Sequence, residues 1–381
     1  MTNTARKLRI ALLGTRGIPA NYGGFETFVD ELSRILAERG HEVTVYGRRF
    51  FSNGSTQQQP ISMHGKVRSI RTATIAHKYL ETPCHAITSN LDLWLRRHEF
   101  DCALLCNAAN SPFAWMIRLA GIPLAINVDG IERKRAKWNA VGRLWYRLGE
   151  YTSTLFAHRV VGDAQVICDY YKERFSCDAT MIPYGARAVI REAGPTLAQF
   201  NLSSGNYILY VSRLEPENNA LGVIEAYKQS GIEHMPLVIV GDAPYADSYK
   251  AALREAAVGC DVRFTGFQFG AAYQELRSHC QFYIQATEVG GTHPALIEAL
   301  AYGNPTIING TPENIEVAGA CTSAYAVNDF VELARQMKLL SERPDLRENL
   351  AARSREHVAQ KYSWDAVTDQ YEKLFLELLS D

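Results

Sequence analysis

Short apolar runs recur along the chain, each closed by a glycine or a polar turn, and the stretches between several of them place apolar residues at helical spacing. Residues 8–13 end at Gly14 in the manner of a buried parallel strand. The next apolar positions, Phe25, Phe28, Val29, Leu32, Ile35 and Leu36, share one face of a helix that Gly40 closes before a strand at 42–46. Further strands are expected at 102–106 and 124–128, with a helix in 79–97 that Pro83 interrupts, and short strands at 158–162 and 179–183 flank a helix at 165–174. From 185 to 204 the strand signal fades, and Gly194, Pro195, Ser203 and Ser204 mark an interdomain linker. A second series then begins, with strands at 207–211, 237–240, 262–264 and 281–285 alternating with helices, and helices at 344–361 and 364–379 close the chain. The pattern predicts an α/β protein with two doubly wound, Rossmann-like parallel sheets facing a central cleft. The first domain is expected over 1–187 and the second over 188–363, with 364–381 packing back on the first.

Chemistry concentrates where these strands end. In the stretch 287–309, Gly290 and Gly291 precede Thr292 as N-cap and Pro294 in the first turn of a helix that stops at Gly303. Such a helix start presents unpaired N–H groups to an anion, and Glu298 lies one turn inside it. A phosphate-and-hydroxyl ligand, such as a nucleotide sugar, suits that combination, with His293 beside it to contact the sugar or cap the helix. Arg213 follows the 207–211 strand and precedes a helix at 220–228, a place for a bidentate phosphate contact or for a surface ion pair. Glu217 reads equally as a carboxylate near the reacting centre or as a charge complementing that helix dipole. Asp129 and Glu132 follow the 124–128 strand, where ligands of open α/β sheets gather. The first loop carries Gly14, Gly17, Gly23 and Gly24, which do not form G-x-G-x-x-G, so a dinucleotide site is disfavoured.

Composition narrows the partners. A chain of 381 residues, 47% apolar, can bury two cores, and its formal net charge of -1 gives no general reason to bind nucleic acid. The eight cysteines form no C-x-x-C pair and suit a reducing, cytoplasmic compartment. The first apolar run is too short for a signal peptide, and no segment is long enough to span a bilayer. One local run stands out: Arg133, Lys134, Arg135, Lys137, Trp138, Arg143, Trp145, Tyr146 and Arg147. It reads either as a solvated helix with half-buried tryptophans or as a face for anionic lipid or a diphosphate-lipid acceptor, at the inner side of the membrane.

Four segments carry a resemblance: G-T-R-G-I-P-A-N-Y-G-G-F-E (14–26), V-D-G-I-E-R-K-R-A-K-W (128–138), P-E-N-N (216–219) and G-G-T-H-P (290–294). In this order the chain resembles, over essentially its whole length, the retaining GT-B glycosyltransferases of family 4, and among them the bacterial rhamnosyltransferase-like branch. The resemblance implies transfer of L-rhamnose from dTDP-rhamnose to a lipid-linked saccharide acceptor in cell-surface polysaccharide synthesis. It implies no cofactor or metal beyond the nucleoside diphosphate sugar itself. The donor would meet Arg213, Asn218, Gly290, Gly291, Thr292, His293 and Glu298; the acceptor would meet Gly23, Gly24, Glu132 and Arg133; and Asp129, Glu217 and Arg213 would act in catalysis. Two positions depart from the wider family, since Asn218 stands where a diphosphate-binding lysine is expected and Gly290 where a sugar-binding glutamate is. A UDP- or GDP-sugar donor, a nucleotide-sugar epimerase and a non-catalytic nucleotide-sugar-binding protein are the alternative readings.

Overall fold

The computed structural model describes residues 7–20, 24–50, 59–77, 79–128, 130–134, 138–243, 246–289 and 292–380. They form two compact units: the described residues of 1–134, 138–184 and 364–381 make the first, and those of 185–363 the second.

The strands of the first unit are β1 (Arg9–Leu13), β2 (Glu42–Phe50), β3 (Ile61–His64), β4 (Val67–Thr74), β5 (Cys102–Cys106), β6 (Leu124–Asn127), β7 (Arg159–Gly162) and β8 (Thr180–Met181). Its helices are α1 (Gly24–Glu38), α2 (Glu81–Leu95), α3 (Trp115–Leu119), α4 (Ala140–Phe156) and α5 (Gln165–Phe175). The sheet order is β3-β4-β2-β1-β5-β6-β7-β8, parallel except for the β3–β4 hairpin. β1 and β5 are apolar on both faces because helices cover both sides. The β1-to-β2 step runs one way across the sheet and the steps from β4 to β8 run the other. Right-handed crossovers therefore place α1 on one face and α2 to α5 on the opposite one.

The second unit holds α6 (Pro195–Gln199), β9 (Ile208–Val211), α7 (Ala220–Ser230), β10 (Leu237–Val240), α8 (Asp247–Ala256), β11 (Val262–Gly266), α9 (Gly270–His279) and β12 (Phe282–Gln285). It continues with α10 (Pro294–Tyr302), β13 (Thr306–Asn309), α11 (Pro312–Ala318), β14 (Ser323–Tyr325), α12 (Phe330–Glu342) and α13 (Pro344–Lys361). Its six parallel strands follow the order β11-β10-β9-β12-β13-β14. Core side chains from Ile208, Val223, Leu237, Phe282 and Leu333 fill one side of this sheet. The last helix, α14 (Trp364–Leu378), belongs to the first unit. There Tyr371 lies 5.3 Å from the Phe28 ring and accepts at its hydroxyl from Asn127 Nδ2 (2.9 Å).

Four features differ from the sequence expectation, the first being that α2 runs unbroken through Pro83, which sits in its first turn where no intrahelical N–H is needed. The hairpin β3–β4 and the short β14 carry no long apolar run and were not expected from the pattern. The segment expected to be only a linker contains α6, whose first amides donate to the Glu275 carboxylate from Gly194 N (2.9 Å) and Leu197 N (2.8 Å). Burial acts to raise the Glu275 pKa, yet these backbone donors outweigh it and the net shift is downward. All eight cysteines are free thiols, and burial pushes Cys102 and Cys280 up to about 12. No helix among the described residues is long and apolar enough to cross a membrane.

Candidate active site

In a doubly wound sheet the connections diverge where the winding direction reverses, which leaves the carboxyl ends of two neighbouring strands open to a ligand. In the second unit that reversal lies between the adjacent parallel strands β9 and β12. The end of β9 leads to Arg213 and a tight turn at Pro216–Asn218, and the end of β12 leads to 286–289 and then α10. Two segments distant in sequence thus share one sheet edge. They are tied together: Glu288 N donates to Glu217 O (3.0 Å) and Asn219 Nδ2 to Ala286 O (3.0 Å).

A set of asparagines fixes the loops around this edge. Asn309, at the end of β13, donates through Nδ2 to Ala286 O (3.2 Å) and Asn328 Oδ1 (2.9 Å), and Asn219 donates to the same Asn328 oxygen (2.9 Å). Asn314 donates to Thr287 O (3.1 Å) and Asn309 O (3.0 Å). Asn219 and Asn328 adopt positive φ, at 62° and 60°, a conformation asparagine tolerates better than other residues with a side chain. Nothing in the hydrophobic pattern singles these residues out, since their partners come from other strand ends.

Within this frame the charged groups differ sharply. The Arg213 side chain is 39% exposed, and its Nη2 lies 3.7 Å from Glu215 Oε2, too long for a hydrogen bond. Glu217 is 7% exposed, and both its carboxylate oxygens are buried with no hydrogen-bond partner among the described residues. A buried carboxylate in that state is costly and marks a place where a polar ligand group would be stabilising. Burial raises the Tyr249 phenol against the opposing bond from the Leu221 amide, and the nearby Glu217 carboxylate adds to the rise.

Glu298 is held from one side. The Tyr273 hydroxyl donates to its Oε2 (2.5 Å), and Arg277 Nη2 lies 3.6 Å from the same oxygen. Arg277 is fully buried, donates to Tyr273 Oη through Nε (2.9 Å) and Nη2 (2.6 Å) and to Ala295 O (2.9 Å), and stands 4.5 Å over the Tyr283 ring. Burial pushes the Tyr273 phenol well above its ordinary value, so it stays a neutral donor. Among the described residues only Oε2 of Glu298 is engaged, which leaves Oε1 for a ligand. Neither Tyr273 nor Arg277 carried a sequence signal, because both lie on α9, outside the glycine-rich stretch.

Several expectations need correction. α10 begins at Pro294 with His293 in the capping position, so Thr292 is not the N-cap; the His293 side chain makes no capping bond either. Thr292 is buried. Asn218, expected at the diphosphate, donates its Nδ2 to Arg213 O (2.7 Å), which shapes the loop. Glu217 lies in the turn before α7, separated from the helix by Asn218 and Asn219, rather than in its first turn.

In the first unit the reversal lies between β1 and β5. Gly14 has φ +94, and a Cβ there would sit 2.2 Å from Cys106 O, so only glycine lets the two strand ends approach this closely. Asn110 Nδ2 bridges them through Cys106 O (2.8 Å) and Gly14 O (3.3 Å), and Glu26 accepts from Arg16 N (3.0 Å). Gly24 is the first residue of α1, and Glu132 lies half-buried in a short turn at Glu132–Lys134. Arg133, expected to meet the acceptor, is anchored within the unit: its Nε is 3.0 Å from Glu150 Oε1 and its Nη2 donates to Tyr170 Oη (2.9 Å). In the basic aromatic run Tyr146 is buried and Trp145 is half-buried, its Nε1 donating to Ala109 O (3.1 Å). Asp129, Gly23, Gly290 and Gly291 lie outside the described residues.

Comparison with known proteins adds what geometry alone lacks. Residues 22–187 match the family model described as Glycosyltransferase Family 4, and residues 198–357 the one described as Glycosyl transferases group 1. The chain is 24% identical to a GDP-mannose-dependent alpha-(1-6)-phosphatidylinositol monomannoside mannosyltransferase of Mycobacterium tuberculosis, covering 93% of this chain and 95% of the relative. It is 26% identical to the N-acetyl-alpha-D-glucosaminyl L-malate synthase of Bacillus anthracis, covering 94% and 95%. Among solved structures, sucrose-phosphate synthase from Thermosynechococcus elongatus superposes with a TM-score of 0.81 at 19% identity, covering 97% of this chain and 99% of that one.

Proposed function

The chain belongs to the GT-B glycosyltransferases, with a family 4 domain followed by a group 1 domain, and we propose that it transfers L-rhamnose from dTDP-rhamnose to a lipid-linked saccharide, with retention at the anomeric carbon. The observation that carries the reading is the pair at the β9 end: the half-exposed Arg213 guanidinium and the buried Glu217 carboxylate, which has no hydrogen-bond partner among the described residues. Breaking the glycosyl–diphosphate bond places negative charge on the leaving group. Arg213 and the first amides of α10 would stabilise that charge, without a metal ion, as preorganised donors do. Glu298 would take the ribose hydroxyls through Oε1. Glu217 would supply the sugar-side carboxylate that Gly290 does not, and Asp129 would orient the acceptor hydroxyl.

The donor rests on the four rhamnosyltransferase-like segments of the sequence. The lipid-linked acceptor draws support from the Mycobacterium relative, whose name specifies a phosphatidylinositol glycolipid. The same name gives a second reading, a GDP-sugar donor. The place of action would be the cytoplasmic face of a membrane. A thermal-shift panel of dTDP, UDP and GDP separates the donors, since a ligand that binds only the folded chain raises its melting temperature. The largest shift is expected with dTDP, and a larger shift with GDP would replace the rhamnosyl reading. Incubation with radiolabelled dTDP-rhamnose and a membrane lipid extract should then label a lipid. Conversion of the free sugar nucleotide instead would indicate an epimerase, and intact binding with no labelled product would sink the transfer.

A further inference from the structure

The solvent side of three helices in the first unit is apolar where a surface helix is ordinarily polar. On α4, Val141, Leu144, Leu148, Tyr151 and Leu155 follow at three- and four-residue steps and are between 43 and 71% exposed. The opposite side of the same helix carries Gly142, Tyr146, Gly149 and Ser153 into the unit, so the exposed stripe is not the packing face. Ile87, Leu91 and Trp94 repeat the pattern on α2, and Trp115 and Leu119 on α3. These helices lie on one side of the sheet, and the turn Ala108–Phe113 packs against both α2 and α4. Single exposed hydrophobics are ordinary, but aligned stripes on neighbouring helices mark a contact surface.

Charge identifies the occupant. Arg97, Arg118, Arg143 and Arg147 are exposed on or beside these helices. The acids there are already paired within the unit: Glu81 with Arg48 and Arg16, Asp92 with Arg96, Glu99 with Arg68 and Arg96, and Glu150 with Arg133. Cations interleaved with leucine and tryptophan suit an anionic bilayer surface, with apolar side chains at the acyl boundary and arginines at phosphate depth. A second copy of the chain would bring arginines against arginines. We propose that this face of the first unit docks on anionic membrane lipid; the inference deepens, and rests on, the lipid-linked acceptor of the proposed function. It also moves the membrane contact from the rings of the basic aromatic run to the other side of the same helix.

The test is flotation of the full chain with vesicles of phosphatidylcholine alone or mixed with phosphatidylglycerol. The wild type should float with the mixed vesicles and stay behind with the neutral ones. Leu144→Asp with Leu148→Asp should lower the bound fraction at least about tenfold. Arg143→Glu with Arg147→Glu should remove the preference for anionic lipid, with circular dichroism and melting temperature unchanged in both variants. A wild type that ignores both vesicles, or a leucine variant that floats as well as the wild type, overturns the proposal. So does a wild-type dimer that the leucine variant splits in the ultracentrifuge, which would make the face a self-interface. Transfer to a water-soluble acceptor, measured in parallel, reports on the rhamnosyl reading independently of vesicle binding.

Discussion

Arg213 and Glu217 are four residues apart, yet the fold treats them in opposite ways. The arginine keeps its head partly in solvent, and the glutamate is enclosed with both oxygens unpartnered among the described residues. A structural carboxylate would have acquired donors, as Glu275 did from the α6 amides. Glu217→Gln should therefore lower kcat about 100-fold while raising the melting temperature, because a buried carboxyl group without donors costs stability in the free protein. A destabilised variant with normal turnover would make Glu217 structural. Tyr273→Phe removes the hydroxyl that orients Glu298 and leaves Arg277 facing the carboxylate alone. The donor KM should rise about tenfold with kcat nearly unchanged, as for loss of uniform binding; steady-state kinetics against donor concentration measures the split.

Elements meet at the candidate site through polar bonds rather than apolar packing. The loops after β9, β12, β13 and β14 are joined by Asn219, Asn309, Asn314 and Asn328, and those after β1 and β5 by Asn110. Strand ends cannot be fixed by the sheet ladder once the strands diverge, so side-chain amides take over the backbone groups that are left. The close approach at Gly14 belongs to the same design. Gly14→Ala puts a methyl group on a carbonyl 2.2 Å away and demands a positive φ from alanine. The expected loss is at least about 2 kcal/mol in urea unfolding. An unchanged midpoint would mean that β1 and β5 separate more easily than their contacts indicate.

For the whole molecule, the chain end is part of the first unit. α14 packs Tyr371 and Trp364 onto Phe28, and Glu372 accepts from Arg39 and bonds His41 at 2.8 Å. Burial acts to raise the Glu372 pKa, but the bonds from His41 and Arg39 outweigh it and the net shift is downward. A depressed folded pKa contributes stability above the unfolded carboxylate value of about 4.3, and that stability is lost as pH falls through the folded pKa. Glu372→Gln should accordingly be less stable than wild type at neutral pH, with the gap closing in acid; a gap independent of pH would mean that the charge plays no part. The hydrophobic pattern alone determined the two series of parallel strands and their helices, because each buried strand must be apolar over its own few residues, a property local in sequence. The resemblance read from four short segments reached the glycosyltransferase class for a similar reason, since each segment is contiguous. Tertiary structure alone decided which neighbours each charge received: Arg133 was given to Glu150, Asn218 to its own loop, and Glu298 to Tyr273 on another helix. It also decided which side of α4 faces solvent, because the rings that look interfacial in sequence found partners inside the unit. Pairing energies depend on groups brought together across tens or hundreds of residues, and no window along the chain contains them.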